Sequence, residues 1–415
     1  PSAMGTLFCF VFYGWNMLDF IKLSQLVSQV GADAAREKQD FERVMECAQA
    51  AFRTAQASPQ KFEDRLAENA PWVLWPTARP LEPLALRATV PAIETKEKKW
   101  TVVAVDGSQI MPSHHEVHNC YLLNAGLARI SYGLPLAPLL LSEPRLHARP
   151  DDLYPLVDRR RVHIDELYVA LERGLFELEL LAEQACAVAL HGESVLALVD
   201  GSLIPWSVEK MSSSYQENYF ARVEAVMTKL RLAEVPIVGY ISHSRSADLI
   251  NCLRVSVCPY EVSHCRQHCA ELNEEDFPCS QVWPLSDRSL YGKILAKNER
   301  SSAFASGASA VKLMPVADST CFVYFRGASE IARLELPRWL FDDKKLFAFA
   351  LSAVRTQVEK GQGYPVALAE AHHLAVIKGP DRERFFQLIT DRMVSLGVGQ
   401  IRVSPKESQK RSGFV

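Results

Sequence analysis

No apolar run in this chain of 415 residues is long enough to cross a bilayer. The apolar stretch over residues 7–15 is too short, and it has neither the basic flank nor the cleavage site of a signal peptide. A cytoplasmic protein with no membrane association is therefore expected. An excess of one charge is also lacking: 46 Lys and Arg stand against 49 Asp and Glu, a formal net charge of −3. Global charge thus announces no nucleic-acid binder, although a local basic groove stays open. There is no glycine-rich fingerprint after the first core strand, which argues against a dinucleotide-binding fold, and no P-loop, which argues against ATP hydrolysis. The C-x2-C knuckles of a common zinc ribbon are missing too, despite ten cysteines. What is present, 48% apolar and 23% charged residues, suits a globular chain of one large or two ordinary domains.

The organising feature is a repeat. Residues 100–108 read WTVVAVDGS and residues 194–202 read SVLALVDGS. Such apolar runs of small and β-branched residues predict strands buried on both faces. Each glycine is expected to turn the chain sharply, leaving Asp106 and Asp200 at the ends of two core strands. Either aspartate alone could merely cap its turn. Two carboxylates brought together repel each other unless a cation lies between them.

Residues 18–65 carry helical periodicity, through Ile21, Leu23, Leu26, Val27 and Val30, then Phe41, Val44, Met45, Ala48 and Phe52. Residues 1–16 are set aside from the fold, Met17 being a natural start. A connection punctuated by Pro71, Pro76, Pro80, Pro83 and Pro91 leads to the first core strand. Beyond it, residues 117–123 and 127–132 read as a hairpin turning at Asn124-Ala125-Gly126. His114, His115 and His118 lack the spacing of a known metal site and read as solvated or hydrogen-bonded. Residues 135–155 read as a proline-rich loop.

Residues 162–190 read as one long helix with an apolar stripe of Leu167, Leu171, Gly174, Leu178, Leu181 and Ala185. Glu172, Glu179 and Glu183 share an acidic face, most simply solvated. Glu177 falls in line with Ala170, Gly174 and Leu181, at the margin of the buried face. A carboxylate there needs a partner, because burying a lone charge is costly. Glu177 is the preferred helix acid and Glu179 the second candidate. After the second DGS, a helix over 215–233 and a strand over 236–241 lead to His243 and Arg245, placed to meet a phosphate or simply to solvate a turn. Strand, hairpin, helix, strand, helix, strand is the order of a mixed α/β sheet flanked by helices.

Five cysteines are scattered: Cys9, Cys47, Cys120, Cys186 and Cys321, expected to be reduced and partly buried. The other five are Cys252, Cys258, Cys265, Cys269 and Cys279, with His264 and His268 among them. This density admits a zinc ion or an iron–sulfur cluster, or reduced thiols in a small insertion. Strands are expected again at 321–325 and 332–336, then a helix over 341–359. Pro365 opens a further helix in GYPVALAEAHHLAVIKG, where Leu368, His372 and Ala375 would share a face. Tyr364 and His372 are about two helical turns apart and can address one site. The expected division is a helical extension (1–99), a first core segment (100–250), a Cys-rich insertion (251–310), a second core segment (311–400) and a polar tail (401–415).

With both DGS strands, the helix acid and GYPxxLxxAH in that order, the chain resembles the NurA family of DNA-end-processing nucleases over roughly 100–250 and 315–395. The resemblance implies a ribonuclease-H-like mixed sheet. It implies a manganese-dependent (or magnesium-dependent) nuclease acting on single-stranded DNA and from 5′ ends, dimeric, and partnered by a HerA-like hexameric ATPase. It also implies metal-binding carboxylates at Asp106, Asp200 and a helix Glu, with Tyr364 and His372 completing the site. The Cys-rich insertion and the long N-terminal extension depart from the family's compact pattern. Two other readings remain open: a non-catalytic DNA-repair adaptor that binds through the Cys/His insertion, and a resolvase- or transposase-like nuclease on the same core.

Overall fold

The two DGS strands lie side by side at the centre of one mixed sheet. A computed structural model describes residues 19–93, 99–112, 118–157 and 159–397; residues 1–16, His114, His115 and the polar tail lie outside them. The longer strands are β1 (Trp100–Ile110), β2 (Tyr121–Tyr132), β3 (Leu139–His147), β4 (Ser194–Asp200), β5 (Ile237–Ile241), β6 (Thr320–Arg326) and β7 (Ile331–Pro337). Their order across the sheet is β6-β7-β5-β4-β1-β2-β3. β1, β4 and β5 run parallel, β2 and β3 pair antiparallel beyond β1, and β7 and β6 pair antiparallel beyond β5. Two-residue strands at Arg79–Pro80 and Ala88–Thr89 join the β6 edge through Phe304–Ala305 and Glu299–Arg300.

The period-2 alternation of strand side chains explains why both DGS runs are apolar throughout. Val103, Val105, Val195, Ala197 and Val199 face α3 (Glu166–Ala189) and α4 (Ser213–Leu232). Val102, Ala104, Leu196 and Leu198 face the opposite side, covered by two helices further along the chain, Lys344–Lys360 and Val366–Ala375. In chain order the other longer helices are α1 (Phe20–Ala57), α2 (Pro59–Asn69), α5 (Asp248–Val257) and α6 (Asp287–Ile294), so the two covering helices are α7 and α8, and α9 (Gly379–Ser395) follows them. The second half of α1 packs with α2, α5 and α6 into a third cluster over the β6–β7 end. Asp165 caps α3 by accepting from Tyr168 N at 2.7 Å, and Asp343 caps α7 through Lys345 N and Leu346 N.

Four local expectations are corrected. β1 does not end at its DGS; it runs on to Ile110, with Asp106, Gly107 and Ser108 opposite Gly126, Ala125 and Asn124. β2 is consequently one strand, without a hairpin at 124–126. Gly126 is needed for close approach instead: a Cβ there would stand 2.1 Å from the Ala371 carbonyl oxygen of α8. Only the second motif turns as expected, β4 stopping at Asp200 and Gly201 adopting φ +115°. The proline-rich segment contains β3, an edge strand where Pro144 is tolerated opposite Asn124. Finally, α3 begins at Glu166, four residues later than its periodicity suggests.

Candidate active site

Three elements carry acids to one place. Asp106 sits within β1, Asp200 ends the parallel neighbour β4, and Glu177 lies on α3, which crosses β1. The approach of α3 depends on Gly107: a Cβ there would fall 2.1 Å from Glu177 Oε1. Glu177 keeps only 14% of its side-chain surface, and its Oε1 has no hydrogen-bond donor. Arg173 Nε stands 3.1 Å away, but without hydrogen-bond alignment. Burial pushes the Glu177 carboxyl up to about 7; Arg173 opposes the rise, and the negative charges of Asp106 and Asp200 add to it.

The other acids of α3 are committed elsewhere. Arg222 of α4 binds Glu172 at 2.8 Å and Glu179 at 2.9 Å, and the Tyr215 hydroxyl donates to Glu172 at 3.0 Å. The expectation of a solvated acidic face therefore applies to Glu183 alone, which is exposed.

α8 closes the other side. Asn124 Nδ2 donates to the carbonyls of Leu374 and Ala375, and the Ser108 hydroxyl also donates to Ala375 O. These bonds seat the end of α8 across β1 and β2. His372 lies on its rim, not on the buried face with Leu368 and Ala375, and 56% of its side chain is exposed. From there its Nδ1 meets Asp106 Oδ2 at 2.7 Å, while Asp106 Oδ1 accepts from Gly107 N at 2.8 Å. Tyr364, just before α8, hydrogen-bonds Asp200. Asp200 is exposed as a residue, yet its carboxyl is flanked by protein: partial desolvation raises it, the Tyr364 bond lowers it, and Asp106 raises it further. Burial and the Asp200 charge push the Tyr364 hydroxyl well above its ordinary value, so it remains a neutral donor.

All five of these residues fall within residues 101–377, which match the sequence profile of the NurA domain. The chain belongs to the NurA family. Among solved structures it is similar to the NurA nuclease from Sulfolobus solfataricus, at 13% identity and a TM-score of 0.48, covering 91% of this chain and 97% of that one. No curated protein matches the chain.

Two acids of this NurA chain escaped sequence reasoning. Glu330 accepts from the hydroxyls of Tyr240 (2.7 Å) and Ser242 (2.6 Å), and the Tyr240 ring meets Tyr364 edge-on at 5.5 Å. Glu335 accepts from Ser202 Oγ at 2.7 Å and Leu203 N at 2.9 Å, holding the loop after Asp200. Neither has a local motif; both are recognised only by burial beside the site. His243, in a left-handed backbone conformation (φ +49°), places Nδ1 3.0 Å from Glu330, and Arg245 is exposed nearby in sequence. His118 is half-buried in the β1–β2 connection. Among the described residues no group of three or more His, Cys, Asp or Glu side chains is arranged to hold a metal ion as it stands.

Proposed function

We propose that this NurA chain is a DNA nuclease dependent on a divalent metal, Mn²⁺ or Mg²⁺. It would hydrolyse phosphodiester bonds in single-stranded DNA and from 5′ ends, in the service of DNA-end resection. A homodimer working with a HerA-like hexameric ATPase belongs to the same reading, since this chain has no P-loop. The sheet order β3-β2-β1-β4-β5, with β1, β4 and β5 parallel, supports a ribonuclease-H-like core.

One observation carries the proposal: Glu177 is buried beside two aspartates, and its 3.1 Å ion pair with Arg173 leaves Oε1 without an aligned hydrogen bond. Such a carboxylate is stabilised by a cation, and carboxylate oxygens suit a hard one. Asp106, Glu177 and Asp200 would hold the ion, with His372 at its edge. When bound, such an ion polarises the scissile phosphate and lowers the pKa of an attacking water. Asp106 holds His372 by Nδ1, which leaves Nε2 to orient water or to deliver a proton to the leaving 3′ oxygen. Tyr364 orients the Asp200 carboxylate and, as a neutral hydroxyl, can also donate to a phosphate oxygen.

The test is cleavage of end-labelled single- and double-stranded DNA with Mn²⁺, Mg²⁺ or EDTA, wild type beside Asp106→Asn and Asp200→Asn. Each substitution is expected to lower the rate by more than about 100-fold, beyond the usual effect of disturbing an outer-shell partner. EDTA is expected to abolish cleavage. Cleavage that survives both substitutions would overturn the assignment.

A further inference from the structure

The cysteine-rich segment brings four thiols to the wall of one pocket. Cys258 caps α5, Cys265 and Cys269 bracket a one-turn helix, and Cys279 precedes a 3₁₀ turn. All four line one pocket with His264, His268 and Arg254. Cys265, Cys269 and Cys279 are each less than 9% exposed. Cys252 does not join them: its thiol donates to the Asp248 and Ala78 carbonyls and accepts from Ala78 N. The pocket walls are tied down from outside. Arg65 of α2 donates to the carbonyls of Val255, Cys258 and Tyr260, Trp72 stacks on His264 at 4.8 Å, and Tyr260 stacks on His268 at 4.0 Å.

Charge points the same way. Arg254 keeps 1% of its side-chain surface, stacks 3.4 Å over the Trp75 ring and bonds Glu274 through Nη1. Its Nε and Nη2 have no hydrogen-bond partner, and His264 Nδ1 is likewise buried without one. Glu274 thus meets only one of the three guanidinium nitrogens, and further negative charge beside the other two would be favourable. Neutral thiols do not supply that charge; thiolates on a metal do.

We propose that Cys258, Cys265, Cys269 and Cys279 bind one thiophilic cation, Zn²⁺, as a structural site beside Arg254. Four thiols release four protons as the ion enters, giving a tetrathiolate of net charge −2 that the guanidinium partly offsets. The free space between them is about 10 Å³, on the scale of a single ion or water. The side chains are not at ligand spacing as they stand, so binding requires their rotation onto the cavity centre. The ion would fasten α5 to the segment that follows it.

Elemental analysis of the purified full chain in the Asp106→Asn background, which removes a carboxylate corner, is expected to find one zinc per chain. Cys265→Ser and Cys279→Ser should bring zinc to background, and Cys186→Ser, outside the pocket, should leave it unchanged. Should the serine variants fail to fold, Co²⁺ titration of the stripped Asp106→Asn chain decides. The intense visible bands of tetrahedral thiolate Co²⁺, with about four protons released per ion, support the site. A chain without zinc whose Co²⁺ spectrum lacks those bands overturns it, as does iron with acid-labile sulfide. DNA cleavage enters neither readout, so this site and the nuclease reading stand or fall separately.

Discussion

At the residue scale Glu177 decides most. Its carboxyl is pushed from 4.5 to about 7 by burial and by two neighbouring aspartates. In the metal-free chain the folded state therefore keeps a proton that the unfolded state releases. Stability is fully present below about 4.5 and is lost as pH rises to about 7, by about 3 kcal/mol at about 1.4 kcal/mol per unit. Glu177→Gln is expected to remove that slope, leaving the metal-free protein more stable at neutral pH. Added Mn²⁺ should raise the melting temperature of the wild type and not of the variant. Denaturant titrations in EDTA across this range check the first outcome, and an unchanged slope in the variant would assign it to other groups. Helix phase places Glu177 at the margin of the buried face, where the structure also has it. Glu172 and Glu179 look equally acidic in sequence; the difference is Arg222, 43 to 50 positions away.

At the element scale the site depends on two backbone approaches. α3 lies against Gly107 and α8 against Gly126, neither of which has space for a methyl group. Gly126→Ala is expected to displace α8, cost at least about 2 kcal/mol and separate His372 from Asp106. Gly174 of α3 has no atom near an added Cβ, so Gly174→Ala should instead stabilise the helix by about 0.5–1 kcal/mol. Thermal melts of the two variants distinguish packing from propensity; equal shifts would refute the close-approach argument. In sequence, Asn124-Ala125-Gly126 is indistinguishable from a hairpin turn, because turn and close approach both require a glycine. The helix that covers Gly126 comes from residues 366–375, beyond any local window.

At the scale of the whole molecule, the second core segment secures the first. Arg333 of β7 is fully buried, binds Asp248 of α5 at 2.7 Å and Glu335 at 2.8 Å, and Glu335 in turn holds the loop after Asp200. Breaking a buried network by removing one partner is far more costly than its net contribution, since it strands the remaining charges. Arg333→Met is expected to cost about 3–5 kcal/mol in denaturant unfolding and to reduce nuclease activity through the loss of a fixed Asp200 loop. A loss below about 1 kcal/mol would show the network to be dispensable. The N-terminal helices are part of the same body: Val44, Met45, Ala48 and Phe52 of α1 pack with Leu249, Ile250 and Leu253 of α5.

Local composition and spacing determined the strands of the two DGS runs, the long helix between them, the Tyr364/His372 block and, through their order, the family. Those features depend on periodicity and on residue types read in short windows. Tertiary structure decided which side chains share a space. Pairing carried β1 through its DGS, α4 withdrew Glu172 and Glu179 from the site, and β7 supplied the carboxylate behind Asp200. It also separated Cys252 from the four thiols that line one pocket. Asp106 and Asp200 are 94 positions apart in sequence and on adjacent parallel strands in space. Their repetition marked them as a pair; the sheet made them neighbours, because parallel strands put their carboxyl ends on the same side.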